Sequence, residues 1–266
     1  MIGDEKSKRL PVALSIAGSD SGAGAGIQAD LLTFAACEVF GTTAVTALTA
    51  QNPDGVTSQH TTPALVLSQQ ISQVLDYFPV RCIKTGMLPS HDSVATVTRM
   101  LGEKSIPIVV DPVLASTSGS TLSDGGAFTA LRDALIPIAT LVTPNLDEVE
   151  ALLGTRPTNT AGLLDAARQL VDIHQTAFLL KGGHLDGDEV TDIYARPGQE
   201  LRTYTSPRVV DVDTHGSGCT LSAAITAHLA QGCELDEGVE LGRNYLQQGL
   251  NNPLHVAGHR FIRHLR

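Results

Sequence analysis

The sequence predicts an α/β protein: a mainly parallel central sheet covered by helices on both faces, with a small β flap. Two observations carry this. Short apolar runs alternate with longer amphipathic segments along nearly the whole chain, the rhythm of strand–helix–strand units. Polar residues able to do chemistry (Gly18, Gln51, Asp111, Asn145, Lys181) each fall just after an apolar run, where ligands bind in such sheets. With 266 residues, 42% of them hydrophobic, and no linker-like break, one domain over residues 1–266 is expected.

The elements follow in order. Val12–Ala17 reads as a buried strand. Ala25–Cys37 reads as a helix with Ile27, Leu31, Phe34 and Ala35 on one face. Thr42–Leu48 is rich in β-branched residues and reads as a strand. Gly55–Thr62 is polar and extended, a candidate flap. Thr62-Pro63 reads as a cap with proline at the first helical position, opening a helix that carries Leu67, Ile71, Val74 and Leu75. Cys82–Thr85 is a short strand, and Ser90 precedes a helix bearing Val94, Val97 and Leu101. Ile108–Val110 and Thr140–Val142 are strands, Leu163–His174 a helix, and Ala177–Leu180 a strand. Val190–Thr205 reads as a hairpin around Arg196-Pro197-Gly198. Gly218–Gln231 and Glu237–Leu250 are the last two helices.

Composition narrows the function. Aromatics are 4% with no Trp, and 18 Lys and Arg face 28 Asp and Glu, a net charge of −10. A phosphate-backbone binder needs the opposite balance, and a stacking platform for single strands needs aromatics, so no nucleic-acid partner is expected. A single phosphate is still bindable by backbone amides. The cysteines Cys37, Cys82, Cys219 and Cys233 are spread out and form no C-x-x-C pair, which argues against a disulfide framework or structural zinc. Val12–Ala17 is too short for a signal-peptide core or a membrane span. A cytoplasmic protein with no membrane partner is the expectation.

Four motifs carry chemistry. Gly18-Ser19-Asp20-Ser21-Gly22-Ala23-Gly24-Ala25-Gly26 lies between strand and helix. It lets backbone approach a small ligand, although glycine-rich turns are common. A dinucleotide fingerprint fails because Thr49-Ala50-Gln51 stands where an acid is needed, and no Gly-Lys pair exists for a Walker loop. Asp213-Thr214-His215-Gly216-Ser217-Gly218-Cys219-Thr220 leads into an apolar helix. Converging amides and the helix dipole make it a candidate anion hole for a transferring phosphoryl group, with the Cys219 thiol expected to be acidified there. A glycine-rich cap with an inert buried cysteine fits the same residues equally well. Thr143-Pro144-Asn145-Leu146-Asp147-Glu148 places Asn145 and Glu148 on one helical face and is also a plain N-cap with an acid in the first turn. Lys181-Gly182-Gly183-His184 suits a nucleotide phosphate, or a solvated turn. His215 reads as loop packing, His60 as flap surface, and His255, His259 and His264 as surface residues. None of the nine histidines stands in a spacing such as H-E-x-x-H.

Together AGSDSGAGAGIQADL (17–31), TALTAQN (46–52), KTGML (84–88), VDPV (110–113), TPNLDE (143–148), LKGGH (180–184) and DTHGSGCTLSAAI (213–225) resemble, in order and spacing, the hydroxymethylpyrimidine/phosphomethylpyrimidine kinases of thiamine biosynthesis, within the ribokinase-like superfamily. The resemblance implies a ribokinase-like α/β/α fold. It implies transfer of the ATP γ-phosphoryl to 4-amino-5-hydroxymethyl-2-methylpyrimidine and then to its monophosphate, with ATP and Mg2+ as cofactors and a homodimer as the assembly. By position it implies that Gly18, Asp30, Gln51 and Met87 hold the pyrimidine. Asp111 and Glu148 become metal-associated acids. Asn145, Glu148, Lys181, Thr214, Gly216, Ser217 and Gly218 become nucleotide contacts, and Cys219, Lys181, Gly216 and Gly218 the catalytic set. Sugar kinases of the superfamily carry an Asp where Cys219 stands. The loop Ala115–Ser120 lacks the lysine and acid of many family members, and the tail from His255 is unusually basic. A pyridoxal kinase, or a catalytically silent relative, is the alternative, and intact Asp111, Asn145, Glu148, Lys181 and Cys219 argue against the silent one.

Overall fold

The computed structural model describes residues 9–114 and 124–264. The Ala115–Ser120 departure lies outside them. The elements run β1 (Val12–Asp20), α1 (Gly26–Ala36), β2 (Phe40–Asn52), β3 (Gly55–Thr61), α2 (Ala64–Tyr77), β4 (Val80–Thr85), α3 (His91–Leu101), β5 (Ile108–Val110), α4 (Gly125–Ala130), β6 (Leu141–Val142), α5 (Leu146–Leu153), α6 (Thr160–His174), β7 (Ala177–Leu180), β8 (Glu189–Ala195), β9 (Arg202–Pro207), α7 (Ser217–Gln231), α8 (Leu235–Asn251), β10 (Leu254–Val256) and β11 (His259–Phe261).

The first nine strands form one sheet in the order β3-β2-β1-β4-β5-β6-β7-β8-β9. From β2 to β7 every pairing is parallel, and β3, β8 and β9 run antiparallel at the two edges. The central strands are short, apolar and buried on both sides, as helix-covered parallel strands must be. Two cores result. One joins Leu14, Ile16, Ile83, Val110 and Val142 to Leu67, Val94, Leu163 and Leu170. The other joins Ala13, Cys82, Val109 and Leu179 to Phe34, Leu221, Ile225 and Val239. Alternate strand residues feed opposite cores because side chains alternate across a sheet.

Several expectations change. Pro63 is the N-cap of α2, not its first helical residue, and no side chain caps that helix. Its extended ψ of 139° places the first helical residue at Ala64. Gly55–Thr61 is a mostly exposed antiparallel edge strand hydrogen-bonded to β2. The tail folds back as the β10–β11 hairpin, and His264 is buried, its Nδ1 3.1 Å from Thr33 Oγ1, so it is not a surface residue. Ser90 does cap α3, accepting from the Ser93 amide. Among the described residues no helix is long and apolar enough to cross a membrane.

Candidate active site

The carboxyl ends of the parallel strands open into a cavity of about 380 Å3, and a second of about 160 Å3 adjoins it. Gly18, Gln51, Met87, Asp111, Asn145, Glu148, Lys181, Thr214, Gly216, Ser217, Gly218 and Cys219 all line the first. Residues spread over 200 positions of sequence converge because each ends a strand of one sheet or opens the helix after it.

At one end, Gly18 terminates the apolar part of β1. A Cβ there would sit 2.3 Å from Met87 Cε, so the glycine makes room for the methionine. Gln51, at the end of β2, accepts from Thr49 Oγ1 at 3.2 Å and places its Nε2 3.2 Å from His215 Nε2. His215 Nε2 also lies 3.1 Å from Asp20 Oδ2. Asp20 in turn accepts from the amides of Gly22 and Ala25. Burial raises the Asp20 pKa, but His215 and these amides more than offset it and hold it below the usual value. His215 is therefore more than loop packing: it ties the anion-hole loop to the glycine-rich loop after β1. That tie is tight. A Cβ on Gly216 would fall 1.9 Å from Gly24 O, and Gly216 has a φ of 78°, so this position requires glycine on both counts.

At the other end lie the charges. Lys181 Nζ donates to Asp111 Oδ1 at 3.1 Å and stands 4.0 Å from Glu148 Oε2. Asp111 also accepts from Thr143 Oγ1 and Ser222 Oγ. Asn145 and Glu148 form a reciprocal capping box at the start of α5, so the plain N-cap reading of that motif is borne out, and both residues also line the cavity. Burial, with Asp111 adding to it against the pull of Lys181, pushes the Glu148 carboxyl up to about 7. Burial draws the Lys181 ammonium down, but Asp111 and Glu148 prevail and raise it. A Cβ on Gly218 would lie 3.0 Å from Lys181 Nζ, so the bare glycine leaves room for the ammonium beside the helix start.

Cys219 opens the first turn of α7 as expected, but its thiol is not acidified. Burial pushes it up to about 11; Lys84 and the Gly26 amide pull down, and Asp111 and Asp30 push up. Desolvation of a thiolate here outweighs the helix terminus. Asp30 does not line the cavity. It is fully buried beneath it, accepting from Ser15 Oγ and Lys84 Nζ, both at 2.5 Å. The expected substrate contact is therefore a structural ion pair spanning α1, β1 and β4. Its raised carboxyl pKa comes from burial, which Lys84 only partly counters. Sequence reasoning missed Lys84 and His215. Lysine at the end of an apolar strand was a signal for the first; the second stands inside the Asp213–Thr220 motif, but its partners Asp20 and Gln51 are distant in sequence.

Asp111 and Glu148 offer hard oxygens beside a cavity. Among the described residues no cluster of three His, Cys, Asp or Glu side chains forms a protein cage. Two carboxylates with room for water and phosphate fit Mg2+, which keeps much of its hydration and takes substrate phosphates.

Residues 20–262 match the profile of the family described as phosphomethylpyrimidine kinase. The chain belongs to this family. It is 40% identical over 248 residues to a hydroxymethylpyrimidine/phosphomethylpyrimidine kinase of Synechococcus elongatus, covering 93% of this chain and 94% of that one. It is equally identical over 250 residues to a chloroplastic thiamine biosynthetic bifunctional enzyme of Arabidopsis thaliana, but spans only 48% of that protein's length. Among solved structures, a phosphomethylpyrimidine kinase of Clostridium difficile superposes with TM-score 0.79 at 36% identity, covering 90% of this chain and 99% of that one. A Staphylococcus aureus pyridoxal kinase in complex with AMP-PCP and pyridoxal superposes with TM-score 0.87 at 31% identity, covering 96% and 94%. The fold is the ribokinase-like α/β fold of these kinases.

Proposed function

We propose that this chain is an ATP-dependent kinase that phosphorylates 4-amino-5-hydroxymethyl-2-methylpyrimidine to its monophosphate, and then the monophosphate to the diphosphate, in thiamine biosynthesis. The observation that carries the proposal is the meeting of two cavities at Lys181, Thr214, Ser217 and Gly218. The larger one carries the Gly18, Gln51 and Met87 end, suited to a small heterocycle: the Gln51 amide donates and accepts at once, as an aminopyrimidine edge requires. The smaller extends between Val209, Leu221, Leu246 and Leu250, apolar walls suited to a nucleotide base. A phosphoryl group passing between them crosses the start of α7.

The chemistry follows from that placement. The amides of Gly216–Cys219 and the Lys181 ammonium face the transferring phosphoryl group, where charge builds up on its oxygens. Asp111 and Glu148 would hold Mg2+, which would supply positive charge against the nucleotide phosphates. The substrate hydroxyl attacks phosphorus as the bond to the ADP oxygen breaks, and its proton passes to the Cys219 sulfur in the thiolate form. A loose transition state asks for that transfer late; with the thiol at about 11 only a minor thiolate fraction is available near neutral pH, and turnover should rise as pH climbs toward that value. The second step places a phosphate in the same cleft, and Lys181 with the α7 amides must then face more negative charge. The acidic balance of the chain supports a free small molecule as partner. A cytoplasmic homodimer completes the reading, supported by the family resemblance.

The second reading is a pyridoxal kinase, alone or as a dual activity, favoured by the close superposition on the pyridoxal kinase of Staphylococcus aureus. ADP release measured with the pyrimidine alcohol, its monophosphate and pyridoxal separates the readings. No ADP release with the alcohol overturns the proposal.

A further inference from the structure

We infer that Arg208 is a positioning residue for the nucleotide, acting as a clamp on the loop that follows β7. This rests on the kinase reading above and concerns a residue that lines the smaller cavity but has no role in that reading.

The loop Gly182–Asp188 contains glycines at 182, 183 and 187 and borders the smaller cavity through Gly183 and His184. It has little of its own to hold it. Its one internal backbone bond outside the strands runs from the Leu185 amide to Gly182 O, and Gly187 has a φ of 119°. Such a segment samples many conformations unless something outside restrains it. Arg208, immediately after β9, supplies that restraint. Its Nε donates to Gly187 O at 2.7 Å, its Nη1 to Gly183 O at 2.7 Å and its Nη2 to Leu185 O at 2.5 Å. Its backbone amide donates to Asp188 O at 2.8 Å. One planar guanidinium thus reads three carbonyls along the loop, a geometry that only arginine's fixed fork provides.

A second side chain from the same hairpin completes the restraint. Asp192 on β8 accepts from the Gly182 amide at 3.0 Å and is itself held by Arg243 Nε at 2.8 Å. Gly182 lies so close to β8 that a Cβ would fall 1.9 Å from Thr191 O. The β8–β9 hairpin therefore fixes the loop from Gly182 to Asp188, and with it the wall of the smaller cavity next to Lys181. Lys181 itself is fixed independently, by its backbone N–H, which donates to Pro144 O, and by Asp111. Loss of the clamp loosens the nucleotide wall and leaves the acceptor end intact.

The test uses the full chain with Arg208→Lys and Arg208→Ala. Lysine keeps a cation beside the cavity but presents its donors from one atom, which cannot span the three carbonyls. In both variants the Kd for ADP and the KM for ATP should rise by roughly 10- to 100-fold. The KM for the acceptor should stay within error, kcat at saturating ATP should fall less than the ATP efficiency, and amide exchange should quicken at 183–188. Should the alanine variant fail to fold, the lysine variant carries the test. Unchanged ADP affinity, unchanged exchange at 183–188, or full rescue by lysine would each overturn the clamp. A wild-type chain that binds no ADP would overturn the kinase reading instead, while amide exchange still tests the clamp.

Discussion

Replacing Lys181 by Ala probes the charge balance of the site most sharply. Among the described residues, its ammonium is the one cation placed against both Asp111 and Glu148, at 3.1 and 4.0 Å. Without it two buried carboxylates face each other unopposed, and Glu148, already raised to about 7, is driven further toward its protonated form. Two consequences follow. Losing one preorganised charge donor at the phosphoryl group costs on the order of 10²–10³ in kcat. The second step adds a further phosphate to the cleft; at an intermediate dielectric and about 8 Å, one more unit charge is worth ~1–2 kcal/mol, roughly a further tenfold. Lys181→Ala should therefore damage both phosphorylations and the monophosphate step more. Initial rates of ADP release with each acceptor, at saturating ATP, read the two losses separately. Equal losses in both steps would refute the reasoning that Lys181 faces the acceptor phosphate, and unchanged turnover would refute its role altogether.

Three further outcomes are expected. Cys219→Ala should lower turnover by about 10²–10⁴ with ATP affinity preserved. With the wild-type thiol at about 11, alkylation of Cys219 should keep accelerating well above neutral pH; a plateau near neutrality would show an acidified thiol and restore the original expectation. Gln51→Leu should cost about 1–3 kcal/mol of pyrimidine binding, because a buried polar edge loses its partner, and less for pyridoxal; equal losses in calorimetric titrations would mean that Gln51 shapes the pocket without reading the ring. Glu148, raised from 4.5 to about 7, is protonated in the folded chain but ionised in the unfolded one between those values, so without metal it lowers stability as pH rises through that window. Mg2+ needs the carboxylate, so the stabilisation of the Mg2+–ADP complex, read by thermal unfolding, should grow from about pH 6 to about pH 8 and lose that growth in Glu148→Gln; a wild-type pH dependence in Glu148→Gln would remove Glu148 from the metal site.

The parallel sheet was legible because its strands are apolar runs with no alternation, and Ile108–Val110 and Ala177–Leu180 were placed to the residue. The β10–β11 hairpin escaped notice because Leu254–Phe261 has neither periodicity nor an apolar face; it is held by the body of the protein, where the Asp213 amide donates to Arg260 O. The cavity's residues could be read because strand ends and glycine turns are local signals. What could not be read was orientation. Asp30 lies one turn into α1, and whether it faces the cavity or the sheet depends on its partners Ser15 and Lys84, which are distant in sequence. The Cys219 thiol was misjudged for a related reason: the helix terminus is a local feature, whereas the burial that prevails is a property of the whole fold.

The cleft above β1, β2 and β4–β7 is proposed to carry a phosphoryl group from ATP to a hydroxymethylpyrimidine twice over. This transfer is tested most directly by following the product masses when the chain, ATP and Mg2+ are mixed with 4-amino-5-hydroxymethyl-2-methylpyrimidine. The monophosphate should appear first and then be consumed as the diphosphate forms, with ADP released at each step. ADP formation with pyridoxal but none with the pyrimidine, or accumulation of the monophosphate with no diphosphate, would contradict it.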